Sequence, residues 1–329
     1  MMCGRVAPRA SRPLPFGAPP NALLRSTPMR IALVVNPKSG ANRGAAVAAR
    51  LEKSLRAAGR DVGVFFTERS GHATNLAAHA LDLGYEILCA VGGDGTLAET
   101  LAGTIDRPRA TLGICPIGTA NVVAREFGVP VGNPEAAATI LLCGRTKSID
   151  FGYANGRAFL ANCGVGFDSR VVRRIHLARR RSKKALSMAG YALPGLAEMC
   201  GHRAPELRVA IDGKDLPGFF SSVVVSNLRN YGGVMSVTPE ARPDDGCFDI
   251  YARIGEGPLR LVRGFVRAIL KRRERAGLAV YGTGRSIRIV SARRYPVQVD
   301  GDAFGATPLA VEIAPRQVEL IVPGSEGER

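Results

Sequence analysis

The residues best suited to chemistry sit at Gly92-Gly93-Asp94-Gly95-Thr96, with Glu99 one helical turn further on. The apolar run Ile87-Leu88-Cys89-Ala90-Val91 leads into them and reads as a buried strand, and Leu97 to Leu101 begin a helix. Glycines at a strand-to-helix turn let the backbone approach a phosphate closely, and a helix N-terminus offers unpaired N–H groups with a favourable dipole. A carboxylate at Asp94 can orient a metal or a phosphate-bound water. The spacing therefore suits a nucleotide triphosphate. It equally suits a tight turn whose Asp94 or Thr96 acts as an N-cap.

Such a turn works only if a sheet positions it. Residues 31–35 read as a buried strand, Asn36-Pro37-Lys38-Ser39-Gly40 as a turn, and Ala46, Val47, Leu51 and Leu55 as the buried face of a helix that Gly59 ends. A strand over Val62–Thr67, a helix over Ser70–Leu83 and a strand over Leu112–Pro116 follow. Ile117-Gly118-Thr119-Ala120-Asn121 then turns into a helix running through Arg125. This alternation predicts a Rossmann-like α/β domain over residues 29–150, with a parallel sheet covered on both faces. Ligands on such sheets sit beyond the carboxyl ends of the strands, so the turns at Asn36, Thr67, Gly92 and Gly118 can converge on one cleft.

The pattern changes near Asp150. Short strands separated by turns follow: Gly156–Asn162, Glu206–Ile211, Phe219–Ser226, Cys247–Ile254, Ser286–Ser291, Pro296–Asp300 and an interrupted Val311–Val322. They predict an antiparallel β-sandwich over 151–323, its final segment either staying there or returning to the first domain. Helical segments are expected over about 169–199 and over Pro258–Arg275. Residues 324–329 read as a tail, and the proline-rich first 28 residues as disordered or as a start-site artefact ahead of Met29.

Bulk properties narrow the function classes. Apolar residues make up 46% of the 329, so the chain is globular, and no stretch approaches the ~20 apolar residues that span a bilayer. Seven scattered cysteines without a Cys-x-x-Cys pair, and only four histidines, argue against a zinc site and fit a reduced, cytoplasmic protein. The formal charge of +17 implies an anionic partner, or else arginine used for general solubility. Nucleic acid is the weakest candidate, because there is no Trp and aromatics are only 6%.

Taken in order, five constellations are more specific than any one alone. They are Asn36-Pro37-Lys38-Ser39-Gly40, the Gly92 turn with Glu99, Pro116-Ile117-Gly118-Thr119-Ala120-Asn121, Asp244-Asp245-Gly246-Cys247-Phe248-Asp249 and Val299-Asp300-Gly301-Asp302. Over residues 29–323 this series resembles the diacylglycerol kinase catalytic-domain family, which includes sphingosine and ceramide kinases. The stand-alone bacterial lipid kinases are the nearest in look. The resemblance implies an α/β domain and a β-sandwich with the active site between them. It also implies ATP as phosphoryl donor, Mg²⁺ and a lipid hydroxyl as acceptor. Asn36, Ser39, Gly40 and Thr67 then look like nucleotide-side residues, as do Gly92, Gly93, Asp94, Gly95, Thr96, Leu97, Ala98 and Glu99 in the phosphate turn, and Gly118, Thr119 and Asn121 beyond it. Asp300 falls at the family's general base, with Asp302 as its acidic companion. Arg242, Asp245 and Cys247 fall where bacterial members hold a structural Mg²⁺, Arg242 and Cys247 through main-chain carbonyls. Two departures stand out. Asp302 replaces the family's usual Glu, and Val122 stands where many members have Asp.

Elementary chemistry supports the same roles. Phosphoryl transfer needs positioning and charge neutralisation more than covalent steps, with a carboxylate to accept the hydroxyl proton. Asp300-Gly301 and Asp245-Gly246 are also ordinary hairpin-turn dipeptides. Lys38 lacks the Gly-x-x-x-x-Gly-Lys spacing and reads as a solvated rim residue. His72 and His79 read as capping or surface groups, and Glu99 as pointing into the cleft. Two basic segments remain: Arg170–Lys184, with eight Lys/Arg and no acid, and the amphipathic Leu259–Arg275. Each can lie on an anionic membrane surface, or pack by an apolar face with its arginines in water. A kinase of a soluble metabolite, similar to NAD kinase, and a non-catalytic nucleotide- or lipid-binding protein are the competing functions. The acceptor lipid and the oligomeric state, dimer included, are open at this level.

Overall fold

A computed structural model describes residues 29–107, 110–181, 204–255 and 257–324. The segment expected to be disordered at 1–28, most of the 324–329 tail and the second half of the expected 169–199 helix lie outside the described residues.

The first layer is a six-stranded sheet built from β1 (Arg30–Val35), β2 (Asp61–Phe66), β3 (Ile87–Gly92), β4 (Thr111–Pro116), β5 (Arg145–Ile149) and β18 (Val318–Val322). The order is β2-β1-β3-β4-β18-β5, parallel throughout except for the antiparallel β18–β5 pair at one edge. β1 and β3 are near-continuous apolar runs because both sheet faces are covered. On one face α2 (Gly44–Ala57) buries Val47, Ala48, Leu51 and Leu55, and α6 (Pro134–Cys143) packs beside it. On the other, α3 (His72–Asp82) presents Ala73, Ala77 and Ala80 to α4 (Asp94–Ala102), whose Leu97 and Leu101 are fully buried. Small alanines on α3 let the two helices approach closely while leucines fill the remaining volume.

The second and third sheets are antiparallel and face each other. One has the order β10-β9-β14-β17-β6-β7, the other β13-β12-β11-β8-β15-β16. Their strands are β6 (Gly152–Ala154), β7 (Arg157–Phe159), β8 (Asn162–Val165), β9 (Leu207–Ile211), β10 (Lys214–Asp215), β11 (Ser222–Ser226), β12 (Phe248–Arg253), β13 (Ala279–Gly284), β14 (Ser286–Ser291), β15 (Pro296–Val299), β16 (Asp302–Ala306) and β17 (Leu309–Ile313). Val223, Ile250, Val297 and Val299 of one sheet meet Val209, Ile287, Leu309 and Val311 of the other. Phe159 and Phe248 stack across this core at 5.2 Å. The ring of Phe248 lies where a Cβ on Gly152 would be, 2.3 Å from its Cζ. Truncating so large a buried ring costs about 3–5 kcal/mol.

The fold class is therefore the expected one, an α/β layer joined to an antiparallel sandwich. Three details refine the sequence reading. Of the two places open to the final segment, β18 takes the return to the first sheet, where it pairs with β4 and β5. Helix α6 and strands β5, β6, β8, β10, β13 and β16 are absent from the sequence reading; in β8, β13 and β16 glycines and single polar residues interrupt the alternation. The helix expected to reach Arg275 is α8 (Pro258–Ile269), and Lys271 just beyond it is left-handed with φ 52°. Among the described residues no helix is long and apolar enough to cross a membrane.

Candidate active site

The four strand-end turns of the first sheet are tied side by side by main-chain bonds continuing past the strands. Asn36 N–H donates to Val91 O (3.0 Å), Thr67 N–H to Val35 O (2.8 Å) and Ile117 N–H to Gly92 O (2.8 Å). The Asn36 side chain shapes its own turn, its Oδ1 accepting Lys38 N–H at 3.0 Å. Ser39 opens the single turn α1 (Ser39–Asn42), within which Gly40, Ala41 and Asn42 are all left-handed, φ 58–67°. For Ala41 that is a strained conformation, which persists only where its surroundings dictate it. A Cβ on Gly40 would sit 2.9 Å from Ile117 O, so the first turn leans on the fourth. Gly44, which sequence reasoning passed over, leaves no room for a Cβ: one would lie 2.1 Å from Asn36 O.

The Gly92 and Gly118 turns touch backbone to backbone. A Cβ on Gly118 would be 2.6 Å from Gly93 Cα, and one on Gly93 3.2 Å from Gly118 Cα. Asn121 holds the second turn in shape. It is fully buried and left-handed (φ 47°), accepts Gly118 N–H at 2.9 Å and donates to Gly118 O at 2.7 Å. Asp94 joins the two turns: its Oδ1 accepts Val123 N–H (3.1 Å) from the first turn of α5 (Val122–Glu126). Burial raises the Asp94 pKa, and the Val122 and Val123 N–H groups oppose that rise. At the start of α4, no side chain caps the first N–H groups, so donors and dipole face the open end of the turn.

Three residues behave differently from expectation. Leu97 and Ala98 are buried in the core, and Leu97 N–H is already bonded to Gly93 O (3.1 Å); they anchor the turn and present nothing to a phosphate. Glu99 does not point into the cleft. Its carboxylate accepts Gly71 N–H (2.8 Å) and Ala73 N–H (3.2 Å), fastening the start of α3 to α4. A carboxylate one turn into α4 lies beside the unpaired N–H groups of the neighbouring helix, which is why it is drawn there. Thr96 covers Gly92: a Cβ on Gly92 would lie 2.3 Å from Thr96 Oγ1. Thr119 is exposed at the tip of the Gly118 turn.

The sandwich supplies the other wall. Asp300 follows β15 in a left-handed turn (φ 48°), its N–H donating to Asn162 O (2.8 Å). Its carboxylate accepts three main-chain N–H groups: Leu160 at 3.0 Å, Ala161 at 2.9 Å and Asn162 at 3.0 Å. Burial pushes its pKa up from 3.8 to about 6. The three N–H groups restrain that rise, and the charge of Asp94 across the site adds to it. Gln298, two residues earlier and within β15, is buried and accepts Gly301 N–H at 3.0 Å, fixing the turn. Asp302 opens β16 and pairs with Arg157 Nη2 at 2.8 Å. Its Oδ2 lies 3.7 Å from where a Cβ on Gly95 would stand, so it borders the phosphate turn. Arg157 and Gln298 were invisible in the motifs. The alternation along β15, with Gln298 in step with Asp300, was the one signal for the latter.

The turn at Asp244–Cys247 lies at the junction of the two layers. Asp150, buried after β5, accepts Gly246 N–H at 2.8 Å and donation from Gln317 Nε2 at 3.0 Å. Burial raises its pKa, and the nearby Asp245 and Asp244 contribute. Asp245 Oδ1 accepts Cys247 N–H (3.2 Å), whereas its Oδ2 is buried with no donor. A buried acidic oxygen without a donor suits a hard cation. Among the described residues no three His, Cys, Asp or Glu side chains are grouped for a metal. Arg242 is exposed, so a cation here would take one carboxylate and main-chain oxygens.

Comparison with known proteins bears on the family and the two-part fold. Residues 30–154 match the family model described as the diacylglycerol kinase catalytic domain, and residues 161–322 the YegS C-terminal NAD kinase beta sandwich-like domain. A Pseudomonas aeruginosa protein described as a probable lipid kinase YegS-like is 37% identical over 67% of this chain and 71% of its own. The diacylglycerol kinase of Bacillus subtilis is 25% identical over 91% of this chain and 98% of its own. A Bacillus anthracis protein crystallised as a candidate diacylglycerol kinase superposes with a TM-score of 0.74, at 25% identity over 91% of this chain and 98% of that one.

Proposed function

We infer that this chain, which belongs to the diacylglycerol kinase catalytic-domain family of lipid kinases, transfers the γ-phosphate of ATP to a lipid hydroxyl with Asp300 as general base. The observation that carries this reading is the placement of Asp300. A carboxylate with a pKa near 6 borders a cradle of uncapped helix N–H groups and closely approached glycines. At neutral pH such a group is ionised yet basic enough to take a proton from an attacking hydroxyl. The N–H groups at Asp94 to Thr96 hold the triphosphate, and Asn36, Ser39, Gly40, Thr67 and Thr119 line the nucleotide side. Asp302, held by Arg157, orients the acceptor side of the same rim.

The carboxylates of Asp94 and Asp302 fit a Mg²⁺ carried in with ATP, whose chemistry is to neutralise charge on the phosphates. Asp245 Oδ2, with carbonyls of Arg242 and Cys247, fits a second, structural ion. Its role is order at the domain junction. A diacylglycerol-like, phosphatidylglycerol-like or sphingoid acceptor resides in a bilayer, so the same reading makes the protein cytoplasmic and peripheral to an anionic membrane.

The test is labelled ATP with diacylglycerol, phosphatidylglycerol, sphingosine and ceramide, comparing the wild type with Asp300→Ala. Transfer to one lipid class, lost in the variant, supports the assignment. ATP binding without transfer to any lipid refutes it in favour of a binding protein, and transfer to a soluble metabolite alone favours the NAD kinase-like alternative.

A further inference from the structure

Helix α8 packs on the protein by its small and charged side and turns its apolar side outward. Gly264 faces Arg253 and Glu274. Ala268 is buried, and its carbonyl accepts Ser236 N–H at 2.9 Å. Arg263 and Arg267 approach Glu274, whose side chain is 4% exposed, at 3.7 and 3.9 Å. On the opposite side Val262, Phe265, Val266, Ile269 and, just past the end, Leu270 are 47–57% exposed. At about 100° per residue these five fall within an arc of roughly 140°. A helix that merely covers a core turns such an arc inward. Here the alternative weighed from sequence, packing by the apolar face with arginines in water, is reversed.

Five of the eleven large apolar side chains that stand exposed among the described residues fall in these nine positions, so the patch is a concentration and not background. Its rim is basic. Residues 257–275 contain seven Lys/Arg and one acid, Glu274, which is turned inward. Lys271, Arg272 and Arg275 are exposed just beyond the C-terminal end of the apolar arc.

We propose that the outward face of α8 inserts into the headgroup–acyl boundary of an anionic bilayer. A leaflet supplies both complements at once, hydrocarbon for the arc and lipid phosphates for the rim. A second copy of a chain with formal charge +17 would set the same basic rim against itself. The docking face and the candidate site are carried by one sheet. α8 links β12 to β13 on the sheet whose other end is the β15–β16 hairpin with Asp300 and Asp302, and α7 (Phe167–Arg181) packs over that hairpin. Choosing a lipid surface rests on the lipid-kinase reading, but insertion can be measured without phosphate transfer.

The chain contains no Trp, so Phe265→Trp gives a background-free reporter within the patch. With phosphatidylcholine vesicles containing phosphatidylglycerol, its emission should shift to the blue and be quenched by brominated acyl chains. Both effects should weaken as salt rises or when phosphatidylglycerol is omitted. The double substitution Val266→Asn with Ile269→Asn alters only exposed side chains. It should lower vesicle affinity at least tenfold, with an unchanged melting curve and unchanged turnover of a short-chain, water-soluble diacylglycerol. No blue shift on anionic vesicles at low salt overturns the proposal. So does wild-type vesicle affinity in the double variant. A reporter already blue-shifted and shielded without lipid also overturns it, since the face would then be covered by another copy or by residues 182–203. Vesicle insertion without transfer to any lipid would leave the docking face standing and remove the kinase assignment.

Discussion

Lowering the pH from 7 to 5 should reduce kcat/KM about tenfold, and the cause should be Asp300. A base with a pKa near 6 is about 90% ionised at pH 7 and about 10% at pH 5. An Asp at its usual 3.8 would remain more than about 90% ionised at both values, so the profile would be flat. The assay is initial rate against pH at saturating Mg-ATP and low lipid, with the fold checked at each pH by circular dichroism. The terminal phosphate of a nucleotide titrates in a similar range, so the wild-type profile alone is ambiguous. Asp94→Asn resolves it through the position of the limb and not through the rate, which should fall because Asp94 is also a proposed Mg²⁺ ligand. Removing the neighbouring charge lowers the Asp300 pKa, so the acid limb should move to lower pH, whereas a limb caused by the nucleotide would stay. Oδ1 of the new Asn still accepts Val123 N–H, so the turn is retained. The same shift acts on stability in the opposite direction. A carboxyl raised in the folded state binds its proton more tightly there than when unfolded. Its stabilising contribution is complete below about pH 4 and is lost as pH rises toward 6, a difference of about 3 kcal/mol. Activity should rise over this window while this part of the stability falls. A rate profile flat from pH 7 to 5, or a limb that ignores Asp94→Asn, would refute the reasoning.

Gly118→Ala should weaken ATP binding by at least tenfold in calorimetry with only a modest change in melting temperature, because the new Cβ drives the Gly93 and Gly118 turns apart. ATP affinity equal to wild type would show that these turns are not the cradle. Glu99→Gln should destabilise the fold by about 1–3 kcal/mol in urea titration, since the amide offers one acceptor to the α3 N–H groups that now share a carboxylate. A large loss of ATP affinity without a loss of stability would instead place Glu99 in the cleft. Mg²⁺ should raise the melting temperature of the wild type without nucleotide, and Asp245→Asn should abolish that response by removing the orphaned buried carboxylate oxygen. A response retained by the variant would locate the ion elsewhere.

The parallel layer and its four turns were legible because their causes are local. Continuous apolar runs specify doubly covered strands, and the glycines of the Gly92 and Gly118 turns announce close backbone approaches. The sandwich was readable as a class but not strand by strand. β8 and β13 carry glycines where their neighbours crowd the backbone, so alternation fails where pairing is tight. The sheet of β18 stays open in the sequence because its pattern is that of any buried strand, and only long-range pairing with β4 and β5 assigns it to the first sheet. Likewise the motif placed Glu99 beside the phosphate, but the orphan N–H groups of α3 claim its carboxylate.

What the sequence determined by itself was the set of groups: the glycine turn at Gly92, the paired acids at Asp300 and Asp302, and the five-part order that carries the family. Those depend on residue type and spacing along one chain. What only the tertiary structure decided was their mutual geometry. The electrostatics at Asp300 come from burial, from N–H groups of residues 160–162 and from Asp94, all far away in sequence. The outward turn of α8 comes from Glu274 and Ala268 holding its other side. A helical periodicity fixes which residues share a face, but which face meets the protein depends on partners that close only when the chain is folded.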